Sequence, residues 1–564
     1  MIRLFLLRPI LSFLFFLLAS LPVSAQYENI PLSSDVYGFL KDLSVARVIT
    51  GYQEADPNKT LLEIQRWLEE ADRNRHRLSP VATDRLDGYL DDFFPGRFFP
   101  AVTIFSPDGS LSLADSVWFP SRRNYLWMVN DSLATLYAEA LIHSTGLHET
   151  AIPRPSGAAT LDVGFRINGT FLQHLGYELG LLKGMGWGPS STLKTWDPRL
   201  NYNYKFLEKH EYMIVKNYDF TSGYLQWGWS PADHVLLAVQ VGREPTSFGL
   251  GYGSKLVLSG THPDLDFVKF RVRYKQFSYH SIHASTVGDF LPDRRSRYTK
   301  YIVHHRFQWA IPNVMTIGGG ESVVYHRSLD LGYLSPLSIL KFTELSLQDR
   351  DNNFFFADIQ TNAWDGFQLQ GTLLMDESLF FNLPFPDRYS NKIAAQIGFW
   401  WYEPAGMQDL AVISEYSWIR PFVYSHWDRE SNYLAWGWPL GHRIGPNADE
   451  WMLRLTYDFS ALYRLETEYR LTRKGQNVYS AGGDTLFNAG ADPSFTYREE
   501  KDDEFVGFLD GDLNLSHEFL VKFRAEIVAD QNLEAGISLH LSKAESEPES
   551  KAHGFGFIRY VIDW

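Results

Sequence analysis

From about Leu161 onward, apolar and polar side chains alternate with a period of two. Trp451, Leu453, Leu455, Tyr457 and Phe459 alternate with Met452, Arg454, Thr456 and Asp458. Tyr463, Leu465, Tyr469 and Leu471 alternate with Arg464, Glu466, Glu468 and Arg470, and Ile393, Ala395, Ile397, Phe399 and Trp401 follow the same rule. Between Val521 and Leu541 almost all apolar side chains fall on odd positions, with Lys522, Arg524, Glu526, Asp530, Glu534 and His540 on the even ones. Strand side chains point alternately to opposite faces, so this pattern predicts a sheet with one dry and one charged face. The connections alternate in length. Ile311 to Asn313, Glu403 to Asp409 and Ser460 to Leu462 are short, whereas Arg327 to Asn353, Tyr424 to Ala448 and Lys474 to Asp503 are long. Short turns at one end and long loops at the other predict an all-β transmembrane barrel rather than a soluble sandwich. Counting strands back from the C-terminus gives about 18, antiparallel, in residues 161–564. The last segment, Gly554 to Trp564, has Ile558, Tyr560, Ile562 and Trp564 on one face and reads as a closing strand.

Upstream the period is helical. Val36, Phe39, Leu40, Leu43 and Val48 recur at three- and four-residue spacing within Asp35 to Thr50. A second helix is predicted from near Asn58 through Leu61, Leu62, Ile64, Trp67 and Leu68, and a third from Ser79 to Phe93, ended by Pro95 and Gly96. Residues 26–96 are thus expected to form a small α-helical periplasmic region. Residues 97–160 read equally as a linker or as the first strands. The leading segment has Arg3 and Arg8 around an apolar run, Ile10 to Leu21, with small residues at Val23-Ser24-Ala25. This predicts a signal peptide over residues 1–25, cleaved before Gln26, and export into a Gram-negative envelope.

Composition sharpens the picture. The 564-residue chain carries 52 Lys+Arg against 67 Asp+Glu, a net charge of −15, which argues against a nucleic-acid partner. Aromatic residues make up 15% of a chain whose mean hydropathy is −0.23, as expected of strands that turn one face to lipid and carry aromatic girdles. Cysteine is absent, which excludes disulfides, thiolate metal sites and a cysteine nucleophile. No HExxH, GxSxG or phosphate-loop motif occurs, so neither enzyme nor cofactor nor metal site is predicted. The run Asp510, Asp512, Asn514, Glu518 has Leu515 where a calcium loop needs its glycine, and reads as the polar face of a strand.

Two loop segments stand out, Val241 to Gly260 (VGREPTSFGLGYGSKLVLSG) and Tyr424 to Glu450 (YSHWDRESNYLAWGWPLGHRIGPNADE). The first carries a Gly-rich G-Y-G-S-K-L segment after a proline-containing stretch. The second carries Gly437, Pro439, Leu440, Gly441, Gly445 and Pro446, followed by acidic residues. At these residues the chain resembles the Wzi family of outer-membrane capsule-assembly proteins. The architecture resembles that family over nearly the whole chain, the motifs over two loops and their flanking strands. The resemblance implies a non-enzymatic surface lectin that retains capsular or related exopolysaccharide. Loops Arg327 to Asn353 and Lys474 to Asp503 match nothing in that pattern.

Sugars are held by aromatic faces and by planar polar groups that satisfy hydroxyls. The candidate carbohydrate-binding residues are therefore Trp427, Arg429, Tyr433, Trp436, Trp438, His442, Arg443, Asn447 and Asp449, with Arg243 and Tyr252 from the first loop. An inward-folded loop that plugs the lumen would use the same aromatics. A second constellation is a basic stripe: Lys269, Arg271, Arg273 and Lys275 on one strand face, with Lys300 and Arg306 on the next. It would attract an anionic polymer, or pair with acidic groups of a plug. His304 and His305 point to opposite faces of one strand and cannot share a metal. The expected partners are surface polysaccharide, outer-membrane lipid and the barrel-insertion machinery, with the protein a monomer. The rival functions are a porin for sugars or small solutes, a barrel-embedded hydrolase or acyl-transfer enzyme, and an anchor for a secretion or motility complex.

Overall fold

The computed structural model describes residues 26–563 apart from 57, 95–101, 104–123, 132, 151–154, 208–210, 213, 233, 291–296 and 377–385. The signal peptide assigned to residues 1–25, and Trp564, lie outside the described residues. Eighteen long antiparallel strands close into a barrel. Order in the chain is order around the wall: β1 (Thr135–Thr150), β2 (Ser156–Phe171), β3 (Leu175–Trp187), β4 (Val215–Ala232), β5 (Val235–Glu244) and β6 (Leu265–Tyr274). Next come β7 (Phe277–Phe290), β8 (Arg297–Ile311), β9 (Met315–Tyr325), β10 (Asn352–Thr361), β11 (Phe367–Asp376) and β12 (Lys392–Tyr402). The last six are β13 (Leu410–Ile419), β14 (Ala448–Asp458), β15 (Tyr463–Gln476), β16 (Asp512–Val528), β17 (Gln531–Ala544) and β18 (Lys551–Asp563). Strand β18 closes on β1, from Gly554 opposite Thr150 to Asp563 opposite Leu141. Among the described residues no helix is long and apolar enough to cross a membrane.

The period-two reading fixes the faces. On β16 and β17, Val521, Phe523, Ile527, Ile537 and Leu539 are exposed on the outside of the wall. The even positions, among them Asp512, Asn514 and Glu518, look into the lumen. The strand count agrees with expectation, but the first strand begins at Thr135 rather than near Leu161, so the second half of 97–160 belongs to the barrel. The inward face of β1 mixes Leu141 and Leu147 with His143 and Thr145, and Ser144, Gly146 and His148 face out. That mixture blurs the alternation.

Among the described residues three α-helices precede the wall: α1 (Val36–Val45), α2 (Leu61–Arg73) and α3 (Pro80–Phe93). Helix α1 stops five residues early, because Arg47 takes a left-handed φ of 52° and the Val48 amide turns back to the Leu43 carbonyl. Helix α2 begins at a capping box in which the Thr60 hydroxyl and the Glu63 carboxylate satisfy each other's amides. Ser79 caps α3 through Ala82, and Pro80 occupies its first turn. The helices share a core of Phe39, Leu40, Leu43, Ile64, Trp67, Leu68, Leu86 and Leu90.

This bundle is not a separate body below the barrel. It fills the lumen at the short-turn end. The Ser79 hydroxyl donates to Asp409 at 2.6 Å, Arg77 pairs with Asp365 at 3.1 Å, Arg85 pairs with Asp458, and Trp400 donates to Asp42 at 3.0 Å. The expected periplasmic helical region is therefore a lumen plug. Part of its charged surface, including Arg85 and Asp42, is buried against the wall, while Arg75, Asp72 and Asp87 pair among themselves at the exposed end.

Candidate functional site

The two segments singled out in the sequence, Val241 to Gly260 and Tyr424 to Glu450, fall largely in the loops 245–264 and 420–447, which leave the long-loop end and fold inward against each other. Phe248, Leu256, Val257 and Leu258 of the first pack with Val423, Tyr424, Tyr433, Leu440 and Ile444 of the second. The Ser259 amide donates to the Leu440 carbonyl at 2.8 Å, the Tyr424 hydroxyl to the Leu256 carbonyl at 2.8 Å, and the Tyr433 hydroxyl to the Val257 carbonyl. Together they form a second, outer plug. It meets the helical plug where the Gly249 amide donates to the Ala55 carbonyl at 2.9 Å.

Inward-facing side chains of the wall hold this plug by its backbone. Glu415 of β13 accepts from the Tyr252 and Gly253 amides at 2.7 and 2.8 Å. A Cβ on Gly251 would lie 2.3 Å from the Ser254 carbonyl oxygen, which explains the glycine in the G-Y-G-S segment. Three lysines act as struts. Lys300 of β8 donates to the carbonyls of Asn432 and Leu434, both at 2.7 Å. Lys392 of β12 reaches the Ser425 carbonyl at 3.0 Å, and Lys474 of β15 the Ile444 carbonyl at 2.7 Å. At the rim, His326 contacts Asp428 through Nε2 at 2.7 Å and Glu430 through Nδ1 at 3.0 Å. Among the described residues these three donors lie close enough to hold a metal ion, but the carboxylates take opposite edges of the ring.

The predicted site residues separate into three groups. Tyr433 is sealed in the plug, stacked on Tyr424 with ring centroids 5.3 Å apart. Tyr252 is also buried, edge-on to Trp400 at 5.5 Å. His442 is fully buried, and burial pulls its pKa down to about 4. Asn447 stitches two loops together, donating to the Gly475 and Asp510 carbonyls at 2.8 and 2.9 Å and accepting from the Leu509 amide at 2.8 Å. These four are framework.

A second group faces away from the lumen. Arg243 pairs with Asp266 at 2.7 Å on the outer side of β5 and β6, and Asp449 pairs with Arg473 at 2.5 Å on the outer side of β14. The fold does not bring them to the loop cluster.

The third group sits at the outer mouth. Leu434–Ala435 and Trp438–Pro439 form a short hairpin whose corner, Trp436-Gly437, has both φ values positive, 58° and 75°. That is the geometry of a tight primed turn, and a bulky Trp is seldom found in it. Trp436 and Trp438 are half-buried, and Trp427 and Arg429 are exposed on the same loop. Beside the hairpin opens a cleft of about 840 Å³, lined by Gly437, Pro439, Arg443, Lys474, Asn477, Tyr479, Asp492 and Asp512. Arg443 is paired there with Glu518 at 3.2 Å and with Glu450. Lys474, Asn477, Tyr479, Asp492 and Asp512 were not predicted. Asn477, Tyr479 and Asp492 lie in loop 477–511, which has no periodicity to betray it, and Lys474 and Asp512 sit at the strand ends that flank it.

The basic stripe has internal partners. Lys269 lies 2.7 Å from Asp56, and Arg271 lies 3.0 Å from both Asp56 and Glu63. Arg273 pairs with Glu63 at 3.2 Å, and Arg306 with Asp358 at 2.6 Å. Lys300 is a strut of the outer plug. Lys275 stands apart, exposed in the β6–β7 turn with φ 54°. The acidic counterparts, Asp56 and Glu63, belong to the helical plug, where a reading of strand periodicity has no means to pair them with β6.

This is an outer-membrane type of barrel. The Escherichia coli protein Wzi, described as an outer-membrane protein involved in group 1 capsule assembly and a carbohydrate-binding β-barrel, superposes with a TM-score of 0.53 at 12% identity. The match covers 95% of this chain and 99% of that one, and at this identity it shows the fold. Two further barrels each cover 76% of this chain and 98% of their own: Acinetobacter baumannii OccAB2 (TM-score 0.45, 10% identity) and Pseudomonas aeruginosa OccK2 in complex with glucuronate (0.42, 8%). No protein-family model matches the sequence, and no curated protein matches it.

Proposed function

We propose that the protein is a non-enzymatic lectin of the Gram-negative outer membrane that retains capsular or related exopolysaccharide at the cell surface. The observation that carries this reading is the outer mouth. A tight-turn hairpin carries Trp436 and Trp438 at the outer mouth, and its Gly437 and Pro439 border a cleft of mixed apolar and charged lining, on a plug held by wall lysines. Stacking faces next to planar and charged hydrogen-bonding groups suit a glycan, and a braced platform loses little entropy on binding. The likeness to a carbohydrate-binding barrel supports the same reading. In this reading the partners are the polysaccharide, membrane lipid and, during biogenesis, the barrel-insertion machinery, and the protein works as a monomer.

A glycan array probed with the purified protein in detergent tests it. Selective retention of acidic or neutral surface polysaccharides is expected, and no retention on any glycan would overturn it. A second reading, a porin for sugars or small solutes, draws on the polar cavity of about 650 Å³ left beside the helical plug. Steady single-channel conductance without glycan binding would favour that reading.

A further inference from the structure

The long connection between β9 and β10 behaves unlike the other long loops. Its middle, Pro336 to Lys341, contacts outward-facing residues of the wall. Tyr279 of β7, His305 of β8 and Glu321 of β9 all point to the outside of the wall, because their sequence neighbours His280, His304 and Ser322 are sealed within it. The Tyr279 hydroxyl donates to the Pro336 carbonyl, and His305 Nδ1 meets the Ser338 carbonyl at 3.0 Å. Glu321 accepts from the Leu340 and Lys341 amides at 2.6 and 3.0 Å. The segment therefore folds down over the exterior of β7–β9.

Burial says the same. Val303, Val323 and Tyr325 are outward-facing yet 0% exposed, covered with Tyr333 and Leu340 of the segment. Phe307 and Ile317, on the same outer face beyond its edge, are 57% and 41% exposed. Glu321 is four residues below Tyr325, the outer end of β9. At about 3.3 Å per residue that is on the order of 13 Å along a tilted strand, inside an apolar band about 25 Å tall.

The face this segment turns outward is apolar. Leu331, Leu334, Leu337, Ile339, Phe342 and Leu345 are all exposed, Leu337 at 83% and Phe342 at 69%. Its polar groups are cared for locally. A helix over Leu340–Ser346 satisfies its own backbone, Glu321 takes that helix's first amides, and Lys341 pairs with Glu344 and Asp349 at 2.9 and 3.0 Å. Irregular chain at membrane depth is tolerated only when its hydrogen bonds are met in this way.

We propose that residues 327–350 form a flap immersed in the outer leaflet, which shields His305 and Glu321 from lipid and offers its own apolar face to acyl chains. The occupant is membrane lipid, since the exposed leucines lie on the same outer side of the wall as the exposed Phe307, Ile317 and Phe355 of β8–β10. The proposal rests on membrane insertion and is independent of glycan binding.

The absence of cysteine makes a clean test possible. L337C and F342C, each labelled with a nitrobenzoxadiazole dye, are reconstituted in phosphatidylcholine vesicles with or without 12-doxyl lipid. A481C, on the exposed tip of loop 477–511, is the aqueous control. Only preparations that keep the heat-modifiable gel shift of a folded barrel are read. At both flap positions doxyl lipid should lower emission at least twofold and iodide should change it little, the reverse of A481C. Quenching by iodide to the level of A481C would overturn the proposal. So would dye self-quenching that grows with protein-to-lipid ratio while doxyl has no effect, because that marks a second copy as the occupant.

Discussion

The Asp56 carboxylate lies 2.7 Å from the Lys269 ammonium, and both side chains are sealed from solvent. The pair joins the lumen plug to β6, and Arg271 extends it to Glu63 at 3.0 Å. Removing one partner of a buried ion pair strands the other, at a cost of about 3–5 kcal/mol. Asp56→Asn or Arg271→Gln is therefore expected to loosen the helical plug while the wall stays closed. Protease cleavage within residues 26–94 of the folded protein measures this. A plug as resistant as the parent's would contradict the assignment.

The same groups set a pH dependence. Burial works against the charged carboxyls of Asp56 and Glu63, but Lys269, Arg271 and Arg273 outweigh it and hold both well below the usual range. Their contribution is present above the ordinary carboxylate values and is lost as pH falls through the lowered ones. Glu28 and Asp42 of the same plug behave oppositely. Burial raises each to about 7, so their contribution is present below their ordinary values and is lost as pH rises through 7. Below the ordinary carboxylate values, about 4, loss of the Asp56 and Glu63 contribution should loosen the plug. Hydrogen exchange of the α1–α3 amides from about pH 4 downward tests this, and protection that holds constant or rises would sink it.

Lys300→Met keeps the side chain's length but leaves the Asn432 and Leu434 carbonyls without their strut. An unsatisfied buried acceptor costs about 1–3 kcal/mol. The outer plug should become a protease target within residues 420–447, with the heat-modifiable shift retained. Lys300→Arg, which restores donors, should be milder.

Replacing Trp436 and Trp438 by Ala should weaken glycan affinity by on the order of 1 kcal/mol or more each if they stack on sugar. Detergent-solubilised protein on the responsive glycan gives the measurement. Binding that is kept while ion leakage rises would assign the hairpin to sealing alone.

Epitope tags within Lys474 to Asp503 or Glu545 to Ser550 should be reached by antibody on intact cells. A tag in Glu403 to Asp409, between β12 and β13, should be reached only after permeabilisation. The opposite result would invert the barrel.

The strand period together with the alternating loop lengths determines the barrel and which face meets lipid, because a two-residue repeat is local and survives in any long amphipathic strand, though the blurred alternation of β1 hides where the wall begins. The capping signals at Thr60, Ser79 and Pro80 are equally local, and the helices appear close to where those residues place them. The two glycine-rich loops were legible as special, and so were their aromatics. What each aromatic does was not. Tyr433 and Trp436 are three residues apart, yet one is sealed against Tyr424 and the other turns the corner of a hairpin at the mouth. Only the tertiary structure decides this, since it depends on the 245–264 loop arriving from nearly two hundred residues away. The basic stripe shows the same limit. Its alternation is visible in β6, but its partners Asp56 and Glu63 lie on a helical segment some two hundred residues earlier, and charge pairing across that distance leaves no periodic trace. The flap over His305 and Glu321 is the furthest from view: a polar residue facing lipid contradicts the strand pattern until a distant piece of chain folds down to cover it.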